Sequence, residues 1–96
     1  MYTLQVTPQF KRDVKRCKQE GRNLKNLWEV VAMLLRDGCV PESYQPHELG
    51  RDFAGHMECH IEDDWLLVWK QNDNKMTMLF TNTGSHNYLF SKKWSN

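Results

Sequence analysis

A chain of 96 residues makes one domain, spanning 1–96, around a single modest core. It is 40% apolar and 26% charged, and no window nears the run of about 18 apolar residues that a membrane span needs; the start, Met1 to Val6, lacks the charged and long apolar regions of a signal peptide, so a cytoplasmic protein is expected. The net charge of +1 conceals an asymmetry: residues 1–36 carry eight Lys/Arg against three Asp/Glu, and residues 37–96 carry five against nine. The three cysteines, Cys17, Cys39 and Cys59, are widely spaced with no Cys-x-x-Cys pair, which excludes a zinc ribbon or redox pair and predicts reduced, packed thiols.

Leu4 and Val6 alternate as a short strand does. Thr7-Pro8 then reads as an N-cap with proline at the first helical position, and Phe10, Val14 and Cys17 form one apolar stripe down to a stop at Gly21. Asn23 caps a second helix, whose Leu24, Leu27, Trp28, Val31, Leu34 and Leu35 keep helical spacing until Gly38 and Pro41 end it. Residues 41–52 read as loop. Residues 53–61 read as a strand with Met57, Cys59 and Ile61 on one face and His56, Glu58 and His60 on the other. Glu62-Asp63-Asp64 turns the chain into Trp65–Trp69, apolar on both faces and therefore central. After a turn at 71–74, Met76 to Thr81 forms another strand, and Thr83-Gly84-Ser85 turns into a short helical segment where His86 and Phe90 share a face. The predicted fold is α+β: a small antiparallel sheet with an N-terminal helical hairpin packed on one face.

Histidine and carboxylate side chains are the groups that move protons near neutral pH without a metal. The strand pairing brings Asp64 toward His60, where a carboxylate would orient the ring. His86 opens the last helix, where free backbone N–H groups favour a phosphate. Taken singly, each histidine reads equally as a solvated surface group. His56 and His60 would stand about 13 Å apart on a strand, too far to share one ion, so no metal or other cofactor is expected. Lys11, Arg12, Lys15, Arg16 and Lys18 form much of the solvent side of the first helix, either a plain charged face or a surface for a polyanion. Trp65, Trp69, Tyr88, Phe90 and Trp94 are the aromatics available to stack on bases, with Trp69 and Trp65 also suited to the core.

The segments His47-Glu48-Leu49-Gly50, Cys59-His60-Ile61-Glu62-Asp63-Asp64-Trp65-Leu66-Leu67-Val68-Trp69-Lys70 and Thr83-Gly84-Ser85-His86-Asn87-Tyr88-Leu89-Phe90 resemble, in this order and spacing, the YafQ-type branch of the RelE/ParE toxin superfamily. The basic start of the first helix, Phe10 to Lys15, fits as well. The resemblance implies the toxin of a bacterial type II toxin–antitoxin pair. Such a toxin is a metal-independent mRNA interferase that enters the A site of the 70S ribosome and cuts mRNA by attack of a ribose 2′-hydroxyl. A cognate antitoxin protein is the implied protein partner. Carried over position by position, His47 is the candidate base and His86 the candidate acid, His60 and Asp64 orient the phosphate and tune protonation, Phe90 positions a base and Trp65 supports the site. Lys11, Arg12, Lys15, Arg16 and Lys18 complete the expected RNA contacts. The chain departs from the pattern at Asn82 and Met57, where relatives often carry arginine, the usual bidentate phosphate clamp. Those departures leave room for a toxin of the same fold that acts by binding the A site or gyrase, with weak cleavage or none.

Overall fold

The computed structural model describes residues 1–90 as strand β1 (Thr3–Val6), helices α1 (Pro8–Gln19) and α2 (Leu24–Asp37), strands β2 (His47–Glu48), β3 (Met57–Glu62), β4 (Trp65–Asn72) and β5 (Thr77–Gly84), and helix α3 (His86–Phe90). Both long helices start where their caps were expected. Thr7 Oγ1 accepts from the Phe10 amide at 3.0 Å, with Pro8 beginning α1, and Asn23 Oδ1 accepts from the Lys25 amide at 3.1 Å. Gly38, at φ 77°, ends α2 in the left-handed conformation and donates its amide to the Leu34 carbonyl at 2.7 Å.

The sheet order is β1-β5-β4-β3-β2, which puts the doubly apolar β4 in the middle. The hairpins β3–β4 and β4–β5 are antiparallel, as their tight turns require, whereas β1 lies parallel to β5. The sheet is therefore mixed rather than wholly antiparallel: the helical hairpin carries the chain across one face before the later strands are laid down, and nothing local in residues 3–6 marks their distant partner. β3 begins at Met57, not Phe53, because Phe53 closes a 3-10 turn over Arg51–Phe53 and Gly55, at φ 85°, redirects the chain. β5 continues past Thr81 to Gly84, since Asn82, Thr83 and Gly84 pair with Val68, Leu67 and Leu66. The loop after α2 contains β2, whose His47 and Glu48 face Glu58 and Met57.

Two cores result. On one face α1 and α2 cover Cys59, Ile61, Trp65, Leu67, Trp69, Met78 and Phe80, with Phe10, Cys17, Leu27 and Leu34 supplied by the helices. On the other, Leu66 and Val68 meet Leu89 of α3 and Phe53, with Leu49, Tyr88 and Phe90 packed around them. At about 25 cal/mol per Å² of apolar surface, such burial is the main favourable term in folding. Trp65 to Trp69 are all buried, so β4 is apolar on both faces because both faces are covered. Cys17 and Cys59 are packed as expected, but Cys39 is exposed beyond the end of α2. Burial pushes the Cys59 thiol up to about 12. Among the described residues no helix is long and apolar enough to cross a membrane.

Candidate active site

Strand register assembles the site. His47 on β2 pairs with Glu58 on β3, Glu58 with Val68 on β4, and Val68 with Asn82 on β5, so these four form one row across the sheet. One step along, His60 pairs with Leu66 and Leu66 with Gly84. Val68 and Leu66 belong to the α3-covered core, which fixes the face on which His47, Glu58 and His60 stand. α3 follows β5 after Ser85 and brings His86 and Phe90 over that face, with their rings 5.0 Å apart. Phe90 is seated edge-on against Phe53 at 5.7 Å.

Glu58 is the residue that the chain pattern did not single out. It is 4% exposed, and the histidines bearing on its charge are His47, His60 and His86. Burial raises its carboxyl above the usual carboxylate range, and the three imidazoles oppose that rise. Its Oε1 lies 3.0 Å from His47 Nε2, while its buried Oε2 has no hydrogen-bond partner among the described residues. The other His47 nitrogen, Nδ1, is 2.9 Å from the Gln45 carbonyl and must donate to it, because a carbonyl only accepts. A neutral His47 ring held this way presents a bare Nε2 to Glu58. The 3.0 Å contact therefore needs one proton, either on Nε2 or on the carboxyl, shared between a histidine and a buried carboxylate. Gln45 aims its carbonyl at this ring from a left-handed conformation, φ 53°, that non-glycine residues rarely adopt.

Asp64 is placed differently from expectation. Its Oδ1 accepts from the His86 backbone amide at 3.0 Å, and among the described residues no hydrogen bond joins it to His60. The chain's own carboxylate thus takes the helix-start amide that was expected to receive a phosphate, and Ser85 Oγ takes the Tyr88 amide at 3.1 Å. Asp64 fixes where α3 begins, and through that where the exposed His86 ring stands.

Two expected RNA contacts are placed differently from expectation, Trp65 inside the core and Arg16 turned partly inward. Trp65 is fully buried, its Nε1 donating to Thr83 Oγ1 at 3.0 Å, so it can stack on nothing outside the protein. Arg16 does not stand in solvent with its neighbours; it is drawn inward to Asp13, the Thr83 carbonyl and the Tyr88 ring. Lys11, Arg12, Lys15 and Lys18 are exposed along α1. Of the two positions lacking arginine, Met57 packs against the helix-covered core, and Asn82 puts a buried neutral amide on the row. Lys92, Lys93 and Trp94 lie outside the described residues. Among the described residues no group of three or more His, Cys, Asp or Glu can hold an ion.

Comparison with known proteins places the chain and its fold. The family model described as bacterial toxin of type II toxin–antitoxin system, YafQ, matches residues 2–91. The mRNA interferase toxin YafQ of Escherichia coli (strain B / BL21-DE3) is 28% identical over 88 residues, which cover 91% of this chain and 94% of that one. The crystal structure of YafQ from the same strain superposes with a TM-score of 0.87 at 26% identity, covering 95% of this chain and all of the other. YafQ in the crystal structure of the E. coli DinJ-YafQ complex superposes at 0.85 with 27% identity and the same coverage.

Proposed function

This chain belongs to the YafQ family of bacterial type II toxins, in the RelE superfamily, and from that premise we propose that it is an mRNA interferase, cutting mRNA in the ribosomal A site by attack of a ribose 2′-hydroxyl on the adjacent phosphate. The observation that carries the reading is Glu58: a buried carboxylate within the influence of three histidines, with one oxygen unpartnered. Buried polar atoms are seldom left so unless function uses them.

The reaction needs a base for the 2′-proton, an acid for the leaving 5′-oxygen and donors for the charge that builds on phosphorus. With its proton gone, the His47–Glu58 pair accepts the 2′-proton. His86, exposed at the start of α3, donates to the 5′-oxygen as the P–O5′ bond breaks. A 2′,3′-cyclic phosphate and a 5′-hydroxyl result, and the two proton carriers are left in exchanged states that solvent restores. His60 stands on the same face to stabilise the phosphate, and Phe90 offers a ring face to a base. Proton transfer by side chains rather than by a bound ion is part of this reading, and cleavage that persists in a chelator checks it. A cognate antitoxin is the partner, its acidic segment covering Lys11, Arg12, Lys15 and Lys18. The neighbourhood of the site and this basic face both suit a cytoplasmic, polyanion-seeking protein.

Primer extension on mRNA with and without ribosomes tests the proposal. New 5′ ends that need ribosomes and vanish with His86→Ala support it; growth arrest with no new 5′ ends refutes it. A second reading draws on Asn82, which supplies no phosphate clamp. In it the toxin occupies the A site with little cutting, and His86→Ala remains fully toxic.

A further inference from the structure

Opposite the histidine row, α1 carries a second polar cluster that the reaction above does not use. Asp13 is fully buried on the helix-covered side, yet it is a carboxylate. Its Oδ1 accepts from Gln9 Nε2 at 2.8 Å, Arg16 Nη1 at 2.9 Å and the Tyr88 hydroxyl at 3.2 Å, and its Oδ2 accepts from the Thr83 amide at 3.1 Å. Arg16 Nη2 donates to the Thr83 carbonyl at 2.8 Å, and its guanidinium lies flat on the Tyr88 ring, 3.4 Å from the centroid. Asp13 and Arg16 thus grip Thr83 at both its N–H and its C=O, and Tyr88 at both its hydroxyl and its ring face. Gly84 belongs to the same device. A Cβ there would lie 2.5 Å from Arg16 Nη2 and 3.1 Å from Tyr88 Cδ2, so only glycine lets the guanidinium pass.

The two gripped residues flank the start of α3. That helix has five residues, too few to hold its own direction in water. It is held by the Asp64 bond to the His86 amide, by Leu89 in the apolar core and by Tyr88 on Arg16. His86 and Tyr88 are two positions apart, roughly 200° around a helix of 3.6 residues per turn. Tyr88 therefore faces α1 while His86 faces the site, and a tilt of α3 about Leu89 moves both.

We propose that Asp13 and Arg16 are positioning residues, which set the direction of α3 through Tyr88 and so the place of the His86 ring. This rests on the reading of His86 as the acid, and the positioning itself is readable without cleavage. The basic run of α1 accordingly has two jobs: Lys11, Arg12, Lys15 and Lys18 face outward, and Arg16 faces the catalytic helix from behind. A displacement of about 1 Å at a reacting group costs on the order of 100-fold in rate, so the grip need not touch substrate to matter.

The test compares Tyr88→Phe, Arg16→Lys and Asp13→Asn by histidine-ring NMR and by cleavage of translated mRNA. Tyr88→Phe removes the hydroxyl, with its bond to Asp13 and the 3.4 Å bond it accepts from Gln9 Nε2, and keeps the ring under Arg16, so it stays informative if Asp13→Asn fails to fold. The expected result is a shifted His86 ring resonance in a protein whose other amides are unchanged, with turnover down about tenfold or more at unchanged KM. Combined with His86→Ala, Tyr88→Phe should reduce cleavage no further, because both changes remove one contribution. An unshifted His86 ring in folded Tyr88→Phe and Arg16→Lys, or losses that multiply in the double variant, would overturn the proposal. Full cleavage by His86→Ala alone would instead sink the assignment of the acid, and the ring shift then decides the positioning by itself.

Discussion

Asp13 and Glu58 are two buried carboxylates on opposite sides of the sheet, and the fold treats them differently. Asp13 receives four donors from α1, β5 and α3, with Arg16 beside it. Glu58 meets His47 at one oxygen, and its other oxygen is buried with no partner among the described residues. A carboxylate whose acceptor sites are filled locks the elements that fill them, at little net desolvation cost. One left partly unfilled is held at a cost in stability, and its raised proton affinity equips it for proton transfer. The contrast separates what holds this toxin together from what it works with.

Asp13→Ala should have the largest effect. It leaves part-buried Arg16 with Glu20, 3.6 Å away, as its remaining ion-pair partner and takes the acceptor from the Thr83 amide, so unfolding in urea should report a loss of about 3 kcal/mol. A loss below about 1 kcal/mol would erase the structural half of the contrast. Next comes Glu58→Gln, which keeps the shape but cannot carry the proton. Ribosome-dependent cleavage should fall by about 100-fold or more while the melting temperature holds or rises. Normal cleavage would make Glu58 a second Asp13. Gly84→Ala drives a Cβ against Arg16 and should cost about 1–3 kcal/mol in a denaturant titration.

The smallest effect is the pH response. The folded carboxyl of Glu58 is raised above the ordinary value of 4.5, so between that value and the raised one the folded chain holds more proton than the unfolded chain. Its contribution to stability is present below that window and is lost as pH rises through it. Melting temperatures of the parent and Glu58→Gln should therefore diverge from about pH 4.5 upward, with the parent falling behind. Parallel curves would mean that Glu58 titrates normally.

Local chemistry was legible in the sequence wherever one residue type has one job. Thr7-Pro8, Asn23 and Gly38 marked helix ends, and the doubly apolar Trp65–Trp69 marked the central strand. Asp13 was hidden by its charged neighbours Lys11, Arg12, Lys15 and Arg16, although it falls with Phe10 and Cys17 on the apolar stripe. That position was the available signal. Glu58 was hidden by alternation, which gives its face as polar but cannot say that α3 closes over it. Trp65 was placed among the RNA contacts by the family resemblance, whereas the doubly apolar run that contains it already suited the core where it lies. Family order, not spacing, drew His47, His60, Asp64 and His86 together, and it could not tell that Asp64 would hold the amide of His86 and not the ring of His60.

The parallel pairing of β1 with β5 has a consequence in time. Val6 is synthesised well before its partner, Phe80. At about 5–20 residues per second, a ribosome takes roughly 4–15 s to make the chain between them. For that interval the first strand has no sheet to join, and α3, which follows directly on β5, does not yet exist. Closing so long a loop is also the slow kind of folding step. A nascent copy therefore cannot complete this sheet until Phe80 has been made, a delay written into strand order alone.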